Sequence, residues 1–226
     1  MIKAVFFDID NTLYSETQAH GAAWLALTRY VWDHFAIDAE TWQGYYSREM
    51  AQMKDLLGPQ AAIHNRMIRF QRILEKLRLP LSHAKIMNDL YWNALLEAAR
   101  PEPHIEDCLA DLKEQGYLLG IGTNMTLDWQ MAKLQKLELT DYFSFILSSE
   151  EAGCEKPDPR FFRLCAHKAG VETKECLFVG DSLRGDILGA EAAGMQALWY
   201  APKEGDLSAH AGFTRYSQLQ NLISVV

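Results

Sequence analysis

The sequence predicts an α/β protein in which a doubly wound, mostly parallel sheet carries an all-helical insert after its first strand. Three observations lead there. Short apolar runs rich in Val, Ile, Leu and Phe recur between amphipathic helical stretches, and such continuous runs read as strands buried on both faces. The first four end in polar or acidic residues, which places candidate chemistry beyond the carboxyl ends of the strands. Between the first run and the second lie roughly eighty residues whose apolar spacing has helical period.

The first strand is carried by Ile2, Ala4, Val5, Phe6 and Phe7 and runs into Asp8-Ile9-Asp10-Asn11-Thr12-Leu13. Side chains alternate along an extended chain, so Asp8 and Asp10 point roughly the same way, and one carboxylate can attack while the other moves protons. The insert follows over residues 16–100. Its first helix has Trp24, Leu27, Val31 and Phe35 as an apolar stripe, and its second covers residues 41–57 before Gly58-Pro59 stops it. The third places Ile63, Met67, Phe70, Leu74 and Leu77 on one face before Pro80, and the fourth, residues 82–99, turns Met87, Leu90, Ala94 and Ala98 inward. Arg100-Pro101-Glu102-Pro103 closes the segment.

After Pro103 helix and strand alternate. Ile105, Cys108, Leu109 and Leu112 mark a helix ended by Gly116, and the strand of residues 117–122 ends in Thr123-Asn124, a hydroxyl and an amide suited to phosphoryl oxygens. Met131, Leu134 and Leu137 mark the next helix. The strand of residues 143–147 is followed by Ser148, Ser149, Glu150 and then Lys156. Asp158-Pro159 is an N-cap with proline at the first helical position, and Gly170 ends that helix. Residues 176–179 lead into the acidic cluster Gly180-Asp181-Ser182-Leu183-Arg184-Gly185-Asp186, a helix over 183–193 stops at Gly194, and residues 196–200 form the last strand. This order implies right-handed crossovers with helices on both faces of the sheet.

Composition narrows the function classes. Apolar residues make up 49% of the 226 and charged residues 23%, which is a globular and not a disordered balance. A net charge of -8 repels nucleic acid polymers, while a local positive site can still capture a small anion. Cys108, Cys154, Cys165 and Cys176 have no zinc-ligand spacing and read as buried thiols. Met1 leads straight into a strand, with no signal-like segment and no membrane span, so a reduced, cytoplasmic protein is expected.

In order along the chain, these segments resemble the four motifs of the haloacid dehalogenase-like (HAD) hydrolase superfamily. Asp8-Ile9-Asp10-Asn11-Thr12 matches the DxDxT motif, Thr123 the hydroxyl motif, Lys156 in Glu155-Lys156-Pro157-Asp158-Pro159 the lysine motif, and Asp181 through Asp186 the longer form of the acidic motif. The resemblance implies a Rossmann-like core of residues 1–15 and 101–226 with a helical cap of residues 16–100. It further implies Mg2+-dependent hydrolysis of a small phosphorylated metabolite, such as a nucleoside 5'-monophosphate or a sugar phosphate. Asp8 is then the nucleophile that becomes an aspartyl-phosphate, and Asp10 the general acid and base. Thr123, Asn124 through its backbone, and Lys156 hold the phosphate; the Asp8 carboxylate, the Asp10 carbonyl and Asp181 hold the metal, and Asp186 either holds metal-bound water or orients Lys156.

Other chemistries share this nucleophile. A phosphomutase would return the phosphoryl group to a second sugar position, and a 2-haloacid dehalogenase would need no metal, although that branch lacks the second aspartate of motif one. A receiver-like signalling domain has its phosphorylated Asp on a later strand and no cap. Tyr14, Glu16, His20 and Trp24 follow motif one and are pocket candidates outside the catalytic set, and His104 stands where the family often has glycine.

Overall fold

Strand β1 (Ala4–Phe7) has all four side chains fully buried, the condition of a strand covered on both faces. The computed structural model describes residues 1–201 and 210–223. The chain divides into two units, Glu16–Ala99 and the remainder, Met1–Ser15 with the chain from Arg100 onward.

The helical unit contains α1 (Glu16–Phe35), α2 (Ala39–Leu57), α3 (Arg66–Leu77) and α4 (Ser82–Ala98). Asp38 caps α2 by accepting from the Thr41 N–H, and Asn65 caps α3 through the Ile68 N–H. All four expected helices are present, but two inner faces are rotated from the expected ones. In α3, Met67 is 40% exposed while Arg69 and Ile73 turn inward, because the Arg69 guanidinium donates to the Tyr46 hydroxyl at 2.5 Å and to the Ile63 carbonyl at 2.6 Å. In α4, Tyr91, Trp92 and Leu95 are buried, and Leu90, Ala94 and Ala98 are only partly so. Counting apolar residues could not show that an arginine with two internal acceptors outcompetes a methionine for the inside.

The sheet unit adds α5 (Ile105–Glu114), β2 (Leu118–Thr123), α6 (Leu127–Lys136), β3 (Phe145–Ser148), α7 (Ser149–Ala152), α8 (Pro159–Ala169), β4 (Cys176–Gly180), α9 (Leu188–Ala192), β5 (Gln196–Tyr200), β6 (Gly212–Phe213) and α10 (Leu219–Ile223). The strands lie in the order β3-β2-β1-β4-β5-β6, and among the described residues every pairing is parallel. Strand order reverses between β1 and β4, and a crevice at such a switch point is where doubly wound sheets bind ligands. Phe7 is level with Ile121 of β2 and Val179 of β4, so Asp8 emerges between Gly122 and Gly180. One face packs Phe6, Phe161, Phe162, Cys165 and Phe178 together, with the Phe162 and Phe178 rings 5.0 Å apart edge to face. Gly122 is required there: a Cβ would come within 2.8 Å of the Phe178 ring.

Two departures from expectation sit outside the central strands. The helix expected over residues 183–193 begins as a wide turn, with the Ile187 N–H bonding the Ser182 carbonyl five residues back, before α9 continues it. Strand β6, two residues long, is too short to leave a period in the sequence. His104 takes φ 65°, the left-handed region, which explains why a glycine suits that position. All four cysteines are buried and outside any disulfide, and among the described residues no helix is long and apolar enough to cross a membrane.

The chain leaves the sheet unit and returns at adjoining points. Tyr14 bridges Pro101 in antiparallel fashion, the Glu102 N–H donates to the Leu13 carbonyl at 2.8 Å, and the Tyr216 hydroxyl donates to the Thr12 carbonyl at 2.9 Å. The loop carrying Asp8 and Asp10 is thereby tied at its far end.

Candidate active site

Asp8 leaves the end of β1 with its N–H still in the ladder, donating to the Val179 carbonyl at 2.9 Å. Its carboxylate meets Lys156, whose ammonium lies 2.7 Å from Asp8 Oδ1, 2.7 Å from Asp186 Oδ1 and 3.0 Å from the Gly122 carbonyl. Lys156 is brought there by Asn124, which accepts from its backbone N–H at 2.9 Å and donates to its carbonyl at 3.2 Å. The Asn124 side chain is thus engaged with the lysine loop, and Thr123, one residue earlier, ends β2 fully buried. Asp186 is fixed by the Ser182 N–H at 2.9 Å, and a Cβ on Gly180 would come within 2.3 Å of its carboxylate. Asp181 is held through its carbonyl, which accepts from the Trp199 indole at 2.7 Å.

The structure brings Asp8, Asp181 and Asp186 together, one ligand oxygen of each within 4.8 Å of the others. Burial pushes Asp8 up to about 6, with Asp186 and Asp10 adding to the rise against the pull of Lys156. Asp181 is pushed up to about 7 by burial and by Asp8 and Asp186. Lys156 goes up as well, because its two carboxylate neighbours outweigh its desolvation. Three carboxylates against one ammonium leave an excess of negative charge, and the donors are all hard oxygens, so the residues fit a small divalent cation such as Mg2+.

Asp10 turns elsewhere. Its Oδ1 lies 2.6 Å from the Lys133 ammonium and 2.6 Å from the Tyr14 hydroxyl, while its Oδ2 lies 2.9 Å from Lys133 and 3.2 Å from Gln130 Nε2. Burial would raise it, but Lys133, Tyr14 and Gln130 together hold its carboxyl below the usual value. The Asp10 carboxylate is thus engaged away from the cluster of Asp8, Asp181 and Asp186. Sequence reasoning missed Lys133 and Gln130. The available signal was the spacing of Gln130, Lys133, Leu134 and Leu137, which is i, i+3, i+4, i+7 and so one face of α6.

A family model described as haloacid dehalogenase-like hydrolase matches residues 2–194. The chain belongs to that family. It is 38% identical over 209 residues to the ribulose-1,5-bisphosphate 5-phosphatase of Halopiger xanaduensis, covering 90% of this chain and 87% of the relative. It is 32% identical over 203 residues to the glyceraldehyde 3-phosphate phosphatase of Pyrococcus abyssi, covering 88% and 82%. Among solved structures, a 2-haloacid dehalogenase from Pseudomonas syringae pv. Tomato superposes with a TM-score of 0.78 at 28% identity, covering 100% of this chain and 99% of that one. The HAD-like hydrolase is therefore an enzyme with the expected α/β core.

Proposed function

We propose that this enzyme is a Mg2+-dependent phosphatase of small phosphorylated metabolites, with sugar phosphates foremost, that works through an aspartyl-phosphate on Asp8. The observation that carries the reading is the gathering of Asp8, Asp181 and Asp186 around one buried lysine at the sheet's switch point. A phosphate monoester repels nucleophiles, and a carboxylate can attack it only where positive charge is at hand. Mg2+ bound by Asp8, Asp181, Asp186 and the Asp10 carbonyl would supply that charge and orient the phosphoryl oxygens.

The chain's own groups account for the rest. Asp10, ionised before substrate binds, takes a proton from solvent as the phosphate brings its negative charge. Asp8 then attacks phosphorus, the bond to the leaving oxygen breaks, and Asp10 passes its proton to that oxygen. Asp10 then takes a proton from the water that attacks the aspartyl-phosphate, which releases phosphate and restores Asp8. Thr123 and the Asn124 backbone hold phosphoryl oxygens, and Lys156 balances charge on Asp8 and the transferred group. The helical unit acts as the cap that selects the substrate. The two named relatives support sugar phosphates, and four unpaired cysteines agree with a reduced, cytoplasmic setting.

The test is phosphate release from a panel of sugar phosphates and nucleoside 5'-monophosphates, with Mg2+ and after chelation. Release from sugar phosphates that stops on chelation is the expected result. Halide release from 2-haloacids in excess chelator would replace the reading with dehalogenase chemistry, and an isomerised ester without free phosphate would replace it with mutase chemistry.

A further inference from the structure

We propose that Lys133, together with Gln130, is a positioning residue that fixes the plane of the Asp10 carboxylate for proton transfer and couples it to Thr123. The inference rests on the reading of Asp10 as the acid and base. Lys133 is 1% exposed and Gln130 0%, on the same α6 face as Leu134 and Leu137, each 2% exposed. Apolar residues would fill those two positions if packing were the only demand. The lysine instead straddles both Asp10 oxygens at 2.6 and 2.9 Å.

Gln130 does two things with one amide nitrogen. Its Nε2 lies 3.2 Å from Asp10 Oδ2, 2.5 Å from Thr123 Oγ1 and 3.1 Å from the Asn124 carbonyl, while its buried Oε1 has no hydrogen-bond partner. A buried acceptor left unsatisfied is tolerated where the donor end is needed. With Tyr14 on Oδ1, the carboxylate is held at both oxygens by groups from two segments, so it cannot rotate without breaking several bonds at once. A group that must give a proton to the leaving oxygen and take one from water gains from that rigidity, because proton transfer depends on heavy-atom placement to a few tenths of an ångström.

The experiment compares an ester whose leaving group needs a proton, glycerol phosphate, with one whose leaving group does not, p-nitrophenyl phosphate. The specificity constant kcat/KM is used because it covers binding and phosphoryl transfer to Asp8 and leaves out the later hydrolysis of the aspartyl-phosphate. For Lys133→Met the expected loss is about a hundredfold on the alkyl ester and less than about tenfold on the aryl ester, the pattern also expected for Asp10→Asn. Gln130→Leu should show the same selectivity with a smaller loss, and it decides the matter if Lys133→Met does not fold by circular dichroism and thermal melting. Equal losses on both esters in these α6 variants, with Asp10→Asn still selective, would overturn the positioning role and leave the phosphatase reading intact. An Asp10→Asn variant that loses both esters equally would overturn the acid role beneath it.

Discussion

Asp8 and Asp10 stand two residues apart on one loop and have opposite electrostatic surroundings. Around Asp8 are two further carboxylates and one ammonium, and burial, reinforced by that excess of negative charge, pushes Asp8 and Asp181 up. Around Asp10 one ammonium answers one carboxylate, hydroxyl and amide donors complete the shell, and the acid is held down. The difference teaches where added positive charge is accommodated: the first site carries an excess of negative charge, while in the second one ammonium already answers one carboxylate. Charge balance keeps the two carboxylates distinct, since the backbone brings both to the same end of the sheet.

The hardest test of this contrast is Asp8→Asn. The amide keeps the shape and removes one of three crowded charges, so the expected result is loss of turnover by at least about 10⁴-fold with no loss of melting temperature. Phosphate release near the parent rate would break the assignment of Asp8.

Chelation ranks next, with an expected fall in turnover of about a hundredfold or more that Mg2+ reverses. It carries a pH signature in thermal melting. Asp8 at about 6 and Asp181 at about 7 lie above their unfolded values, so in the metal-free protein they stabilise the fold fully at acid pH, and that contribution is lost as pH rises through 6 to 7. Mg2+ should therefore raise the melting temperature more at about pH 7.5 than at about pH 5. An equal rise at both values would mean the carboxylates do not hold the ion.

Gly180→Ala is milder. The new methyl would collide with Asp186, and turnover should fall about tenfold with a destabilisation of about 1 to 3 kcal/mol by denaturant titration. The same substitution at the exposed Gly21, where a Cβ meets nothing within 4 Å, serves as control. The smallest effect is expected from Tyr14→Phe, which removes one of several bonds to Asp10 and should cost about 1 kcal/mol, a few-fold in kcat/KM for an alkyl phosphate. A loss as large as that of Lys133→Met would show that the hydroxyl, not the ammonium, sets the carboxylate.

What the sequence made legible were groups at strand ends. Asp8, Thr123 and Asp181 each follow a run of buried apolar residues, so their placement needed only the parallel order of the sheet. Lys156 and Asp186 were legible through motif spacing, although the wide turn that aims Asp186 was not. Lys133 and Gln130 stayed hidden because a polar residue on a helix reads as solvated until something charged is shown to lie against it. Arg69 in the helical unit escaped for the same reason: its acceptors, Tyr46 and Ile63, come from other segments.

The bridge between Tyr14 and Pro101 has a further consequence for how this chain is put together. Closing a loop costs entropy that grows only with the logarithm of its length, so an excursion of roughly eighty residues between two fixed points costs only about 3 kcal/mol more than a tight turn there. The sheet unit carries its own core, and so does the helical one. The joint is thus a natural splice point, where a helical module can be shortened, exchanged or replaced by a turn without redrawing the strand order.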